Sequence, residues 1–274
     1  MKYNNKKVIF DFGANNGNDI DYYLEKADIV VAIEADSFHC KAIEKKYKNL
    51  LNKRVFIENC VLVDKKNSKK TLFFFSKLHS ALSTIVKPQE KDLHNFTSKE
   101  IRSTAAADII FKYTKKPFFI KIDLENYDYF ILKALFAKRI YPDFLSVEFH
   151  DLRIISLFLS SGVYKSFNYV EGGIVPFKYK NYLIRTKNEF KYFNFQKHSS
   201  GPFGDDIRSR WLHSENFFRT IMVNGNGWRD IHASKKIVSK MRNRTVTLFI
   251  LWSLVVCIYY YLWIKIRSFK WFRI

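Results

Sequence analysis

Apolar and polar positions along the chain alternate between two periods, and the alternation predicts a βα repeat. Val8 to Phe12 is a short buried run that ends in the turn GANNG, and a helix is expected to begin near Asn18 or Asp19. Ile29 to Ile33 is a second such run, closed by Glu34, with Asp36 placed to cap a helix over Phe38 to Ile43. A third run leads to Asn59. Phe118 to Asp123, broken only by Lys121, predicts a fourth strand, Tyr127 to Ala137 has helical spacing, and Phe144 to Phe149 predicts a fifth strand. Strand and helix alternate through Ser161, which predicts an α/β fold with a doubly wound, mostly parallel sheet.

Other segments fit that repeat less simply. Residues 64 to 117 form a long insertion with a strand over Thr71 to Ser76, a polar stretch around His94, and Asp108 as a helix cap ahead of Ile109 and Ile110. Phe167 to Val170 and Tyr182 to Arg185 are expected to form the antiparallel pair that closes the sheet. Ser199 to Asp206 reads as turns, and Trp211, Trp228, Asp230 and His232 as residues that either cover the pocket or pack the junction to the anchor, packing being favoured. His79 and Ser80 fall in a solvated loop.

The far end breaks the pattern altogether. Val246 to Ile264 is nineteen residues without a charge, about 28 Å as a helix, close to the hydrocarbon thickness of a bilayer. Tyr259, Tyr260, Tyr261 and Trp263 crowd one end, and basic residues flank both. The expected organisation is a catalytic domain over 1–190, an extension over 191–234 that packs on it or covers its pocket, and a basic-flanked membrane anchor over 235–274. The polar start, Met1 to Lys7, has no signal character, so the catalytic domain is expected on the cytoplasmic side of a single-pass or monotopic anchor.

Charge sharpens this picture. The chain has 47 basic and 26 acidic residues, net +21, and its last 46 residues carry ten basic residues against Asp230 alone. That enrichment beside the apolar span suits an anionic lipid surface. No zinc-finger, RNA-recognition or helix-turn-helix signature accompanies the charge, so a nucleic-acid partner ranks behind the bilayer. Cys40, Cys60 and Cys257 are odd in number and have no metal-ligand spacing, as in a reducing compartment.

The chemistry gathers at the predicted strand ends. Gly13 and Gly17 let the first turn pass close to a ligand, and an acid at Glu34 is placed to accept hydrogen bonds from a ribose diol. The glycines are four apart with Asn15 between them, which departs from the G-x-G-x-x-G of dinucleotide sites. Asp11, two residues before Gly13, would repel a diphosphate but suits an ammonium and a sulfonium, so S-adenosylmethionine fits better than NAD. Asp11, Asp123 and Glu148 are expected to face one crevice, where they need a cation among them: a sulfonium, Lys121, His150 or a divalent metal.

With DFGANNG at Asp11 to Gly17, VAIEAD at Val31 to Asp36, ENCVLVD from Glu58, TAAADII from Thr104, KIDLENYD from Lys121 and SVEFH from Ser146, the chain resembles the FkbM family of S-adenosylmethionine-dependent methyltransferases over roughly residues 7 to 175. SSGPFGDDI from Ser199 and GWRDIHA from Gly227 are similar to the tail of some members. The departures are Ala35, where the family usually has proline, and Asn126, where it usually has glycine. The resemblance implies a Rossmann-like seven-stranded sheet. It also implies that Asp11, Gly13, Asn15 and Gly17 hold the methionine end of the cofactor, Glu34 the ribose, and Asn59 the neighbourhood of the adenine. Asp123 and Glu125 would face the methyl group and the acceptor.

A hydroxyl acceptor must lose a proton, for which Asp123, Glu125 and His150 are the candidate bases. A divalent metal on Asp123, Glu125 and Glu148 ranks lower, because their spacing matches no dedicated metal loop. The leading expectation is therefore a membrane-anchored O-methyltransferase for a sugar, glycolipid or other small acceptor, the acceptor class coming from the resemblance. The alternatives are a cofactor-binding pseudoenzyme with a membrane interaction role and a nucleic-acid methyltransferase.

Overall fold

A computed structural model describes residues 2–65, 69–224 and 228–238. Its strands are β1 (Val8–Phe12), β2 (Ile29–Glu34), β3 (Val55–Asn59), β4 (Val61–Val63), β5 (Lys70–Ser76), β6 (Phe96–Ala105), β7 (Phe119–Ile122), β8 (Phe144–Glu148), β9 (Ser166–Glu171), β10 (Tyr182–Arg185), β11 (Phe190–Phe193) and β12 (Arg229–Ser234). The helices are α1 (Ile20–Lys26), α2 (Ser37–Lys46), α3 (Ala106–Tyr113), α4 (Asp128–Ala137), α5 (Arg153–Ser161), α6 (Val175–Lys178) and α7 (Ser214–Asn224). Seven strands form the main sheet in the order β3-β2-β1-β7-β8-β12-β9, parallel except for β12, which runs against both of its neighbours.

The central strands are buried on both faces, which is why IVVAI reads as an unbroken apolar run and VIFDF is broken only by Asp11. Register then sets that break beside the one in β7. Asp11 on β1 lies beside Lys121 on β7, and Lys121 beside Ser146 on β8, so the buried lysine stands next to a buried acid one row below the strand ends. Strand order reverses on either side of β1, which opens a crevice at the carboxyl edge between β1 and β7.

Several expectations change here. Tyr182–Arg185 does not join the main sheet: it pairs with β11 in a separate hairpin, and the antiparallel partner of β9 is β12. The stretch RDIHAS looks too polar for an inner strand, yet Asp230 through Ser234 are all buried. The end of the expected extension over 191–234 thus completes the sheet begun by the first 190 residues. Earlier in the same extension, Phe203 stacks on Phe119 at 3.9 Å between ring centroids, and Asp206 pairs with Lys26 at 2.7 Å. These contacts fix residues 199–211 against α1 and the face of the sheet.

The insertion is also more ordered than its polarity suggests. β6 covers the polar stretch FTSKEIRSTA, pairing antiparallel along the whole of β5 and parallel with β4 to make a second, three-stranded sheet. Thr97 to Glu100 are exposed in a row, so no apolar run betrays it. Asp108 is not a cap: α3 starts two residues earlier, at Ala106, and Asp108 lies in its first turn, where a negative charge favours the helix dipole. Asp36 does cap α2, accepting from the Phe38 N–H at 2.8 Å.

Within β12, His232 is 2 % exposed and neither ring nitrogen has a hydrogen-bond partner. Burial pushes its imidazole down to about 3 from the usual 6.5. The unfolded chain therefore binds a proton below pH 6.5 that the fold refuses, and stability falls as pH drops from 6.5 toward 3. Acidification from pH 7 to pH 5 is expected to cost about 2 kcal/mol through this group, at about 1.4 kcal/mol per pH unit below its unfolded value. Urea titrations at both pH values, on the native chain and on His232→Leu, test this: the variant should lose that part of the acid sensitivity.

Among the described residues no helix is long and apolar enough to cross a membrane. The expected anchor, Val246 to Ile264, lies outside the described residues.

Candidate active site

The turn after β1 is built around left-handed backbone at Gly13 (φ 81°), Asn15 (φ 47°) and Gly17 (φ 74°). The Gly13 and Ala14 N–H groups both donate to the Ile33 carbonyl at 3.0 Å, which pins the turn over the end of β2. Glu34 completes the junction. Its carboxylate accepts from the Asn15 N–H and from the Asp36 N–H, each at 2.8 Å, one on each oxygen. Each oxygen keeps a free lone pair, so two neighbouring hydroxyls can still donate to a carboxylate that the backbone already holds in place. Burial raises the Glu34 carboxyl, and those two amides oppose the rise.

Gly13 is required for a second reason. A Cβ there would sit 1.9 Å from the Asp123 carbonyl oxygen, so the loop after β1 and the loop after β7 touch backbone to backbone. That second loop needs left-handed geometry at Glu125 (φ 47°) and Asn126 (φ 74°). Asparagine tolerates this conformation, so Asn126 fits the loop without a glycine. The Thr84 hydroxyl donates to the Glu125 carbonyl at 2.7 Å and ties the loop to the insertion.

Beneath these turns lies a buried charge cluster. Lys121 Nζ stands 3.0 Å from Asp123 and 3.7 Å from Asp11. Burial alone would raise Asp123, but Lys121, Glu148 and His150 together outweigh it and hold that carboxyl below the usual range. Asp11 receives less help: burial pushes it up to about 7, with Lys121 pulling down and Asp19 and Asp123 pushing further up. On the other side of the crevice His150 Nε2 lies 2.7 Å from Glu148 Oε2. Contact with Glu148 raises the imidazole, while burial raises Glu148. Glu125 is pushed up to about 8, first by burial and then by Asp123. The cations that the acids required are thus Lys121 on one side and His150 on the other.

The crevice is a cavity of about 850 Å³ at the carboxyl edge of the sheet, large enough for an adenosyl cofactor and a small acceptor. Gly13, Asn15, Glu34, Asp123, Glu125 and His150 all line it. Three candidate residues do not. Asp11 is buried behind Lys121, which itself lines the cavity, and Gly17 packs against Ile20 and Ile43. Asn59 is turned away: its side-chain amide donates to the Glu34 and Ala35 carbonyls at 2.9 and 3.0 Å, so it braces the end of β2. The wall beside it is Cys60, Val61 and Leu62, an apolar surface suited to an adenine face.

Other lining residues carried no local signal. His79, on the insertion, and His198, on the C-terminal extension, bring their rings to 5.5 Å at the cavity edge. Trp228 also lines the cavity and packs so closely on Gly172 that a Cβ there would meet the indole at 2.5 Å.

A mostly parallel seven-stranded sheet with one antiparallel strand next to its edge, and a ligand cavity at its carboxyl edge, is consistent with the methyltransferase fold. The sequence profile of the Methyltransferase FkbM domain matches residues 11–160, more than half of the chain. The protein belongs to the FkbM methyltransferase family.

No curated protein matches the chain. Among solved structures it is similar to the methyltransferase FkbM from Methylobacillus flagellatus KT, at 16% identity and a TM-score of 0.36 over 59% of this chain and 38% of that one. It is also similar to spermidine synthase from Thermotoga maritima, at 11% identity and a TM-score of 0.34 over 89% and 58%. A third is the precorrin-6y C5,15-methyltransferase from Geobacter metallireducens GS-15, at 10% and 0.35 over 86% and 82%. The chain thus spans well under two thirds of the first two.

Proposed function

We propose that this chain is an S-adenosylmethionine-dependent O-methyltransferase, acting on a hydroxyl of a sugar, glycolipid or similar small acceptor, and tethered to a membrane through residues 246–264 with its catalytic domain on the cytoplasmic side. The observation that carries the cofactor reading is Glu34, whose two oxygens are fixed by the Asn15 and Asp36 amides at the tip of β2. Family membership supports the transfer of a methyl group. When bound, the cofactor supplies a methyl carbon on a good leaving group.

What the chain itself must do is position and deprotonate the acceptor. Glu34 holds the ribose end, the Gly13 turn carries the methionine end, and Asp11 adds negative charge behind it. Asp123, locked to Lys121, keeps the loop after β7 in register with that turn. Glu125, with its carboxyl near neutrality, is the group matched to receive the hydroxyl proton, and His150 with Glu148 borders the acceptor side.

The test is incubation of the full chain with methyl-labelled S-adenosylmethionine and fractionated membranes. Label in a lipid or glycan fraction, lost in Glu125→Gln, supports the proposal. Label in RNA would instead favour a nucleic-acid methyltransferase, and cofactor binding without turnover on any fraction a pseudoenzyme. The tether is tested separately by carbonate extraction: the full chain should pellet with membranes, and a chain ending at Val238 should not.

A further inference from the structure

We infer that Glu125, Glu148 and His150 form a divalent-cation site at the acceptor end of the cavity. One donor atom from each lies within 4.8 Å of the other two. Ligands about 2.1 Å from a common ion stand about 3.0 to 4.2 Å apart across an octahedron, so a small inward movement closes the set.

The three residues come from rigid origins. Glu148 is the last residue of β8, His150 follows it by two, and Glu125 sits on the loop after β7 that Thr84 ties down. A second, independent observation is the state of Glu148. It is 5 % exposed, and its buried Oε2 has no hydrogen-bond partner. His150 Nε2, of the same donor set, stands 2.7 Å from that oxygen as an ion pair. A buried carboxylate held by an ion pair alone still has lone pairs for a further ligand.

Local charge points the same way. Lys121 is engaged by Asp123 and Asp11 on the opposite side of the cluster, and Asp230 sits beside Glu148 in register. On the Glu125 side of the cavity His150 is the cation set against three carboxyls, those of Glu125, Glu148 and Asp230. Two carboxylate oxygens and one imidazole nitrogen suit a hard to borderline ion such as Mg²⁺ or Mn²⁺, and their spacing lacks the thiolates that a structural zinc site favours.

Three protein donors leave open positions that neighbouring hydroxyls of a vicinal diol match, and Glu125, which offers one oxygen to the ion, keeps its other for the hydroxyl proton. The role of the ion in orienting the acceptor rests on the proposed methyltransferase reading; the existence of the site does not. It lies away from Glu34, so cation binding and cofactor binding are separable measurements.

The experiment is a Mn²⁺ titration of the detergent-solubilised full chain, followed by electron paramagnetic resonance of free Mn²⁺, on the native chain, Glu148→Gln and His150→Gln. Binding of one ion, weakened about tenfold or more in both variants while their melting temperatures stay at the native value, is the expected result. An absence of saturable Mn²⁺ binding, or binding that neither variant weakens, overturns the site. Should a variant unfold, Glu125→Gln, on the loop after β7, gives the same reading. S-adenosylmethionine titration in the presence of a chelator reports on the cofactor reading alone: intact cofactor binding without Mn²⁺ binding removes this inference and leaves that one standing.

Discussion

Gly13→Ala is expected to lower the melting temperature by about 10 °C, the equivalent of about 3–5 kcal/mol in a chain of this size. Two costs add. The residue has φ 81°, and its new Cβ would lie 1.9 Å from the Asp123 carbonyl oxygen, which is backbone and cannot swing aside. Either the turn after β1 lifts from the Ile33 carbonyl or the loop after β7 moves out, and both routes open the cofactor end of the cavity. Gly162→Ala is the matched control, because Gly162 has φ 60° but nothing within 4 Å of the added Cβ. It should cost only the strain of the left-handed conformation, about 1 kcal/mol. Calorimetry on both variants measures the difference; equal melting temperatures would contradict the backbone contact.

Lys121→Met carries the other large effect. The methionine fills similar volume but leaves Asp11, 1 % exposed, without the cation now 3.7 Å away, and Asp123 without the one at 3.0 Å. Removing one partner of a buried pair costs about 3–5 kcal/mol, here partly as the uptake of a proton by Asp11, whose carboxyl stands at about 7 even with the lysine beside it. Asp123 keeps some access to solvent, so most of the penalty falls on Asp11. Adding Asp11→Asn to Lys121→Met should therefore recover about 1–3 kcal/mol relative to the sum of the single changes. Urea unfolding of the four proteins gives the cycle. A Lys121→Met chain as stable as the native one, or strict additivity, would show that the lysine is not holding the cluster.

These two positions also mark how far the sequence could be read. The central strands were visible because both faces are buried, and Lys121 stood out as the break in one of them. That it meets Asp11 follows from parallel register, which the strand order supplies. Glu34 was legible as an acid at a strand tip; that the Asn15 and Asp36 amides fix both its oxygens is a property of the folded turn. Asn59 misled because a polar residue at a strand end serves a backbone carbonyl as well as a ligand. β12 escaped because Arg229, Asp230, His232 and Ser234 look like surface, and only pairing with β8 and β9 makes them interior. β6 escaped for the opposite reason, as a long strand with an exposed stretch. Trp228, His79 and His198 reach the cavity from distant segments, so nothing local could place them there.

The claim on which the account turns is that the junction of Gly13, Asn15 and Glu34 grips an adenosyl sulfonium. Calorimetric titration of the full chain with S-adenosylmethionine, compared with Glu34→Gln, tests it most directly. Losing a charge-assisted acceptor is expected to cost about 1.5–3 kcal/mol, a weakening of about 10- to 100-fold. Saturable binding in the native chain with that loss in the variant is the predicted result. No binding to the native chain, or equal affinity in both, would contradict it.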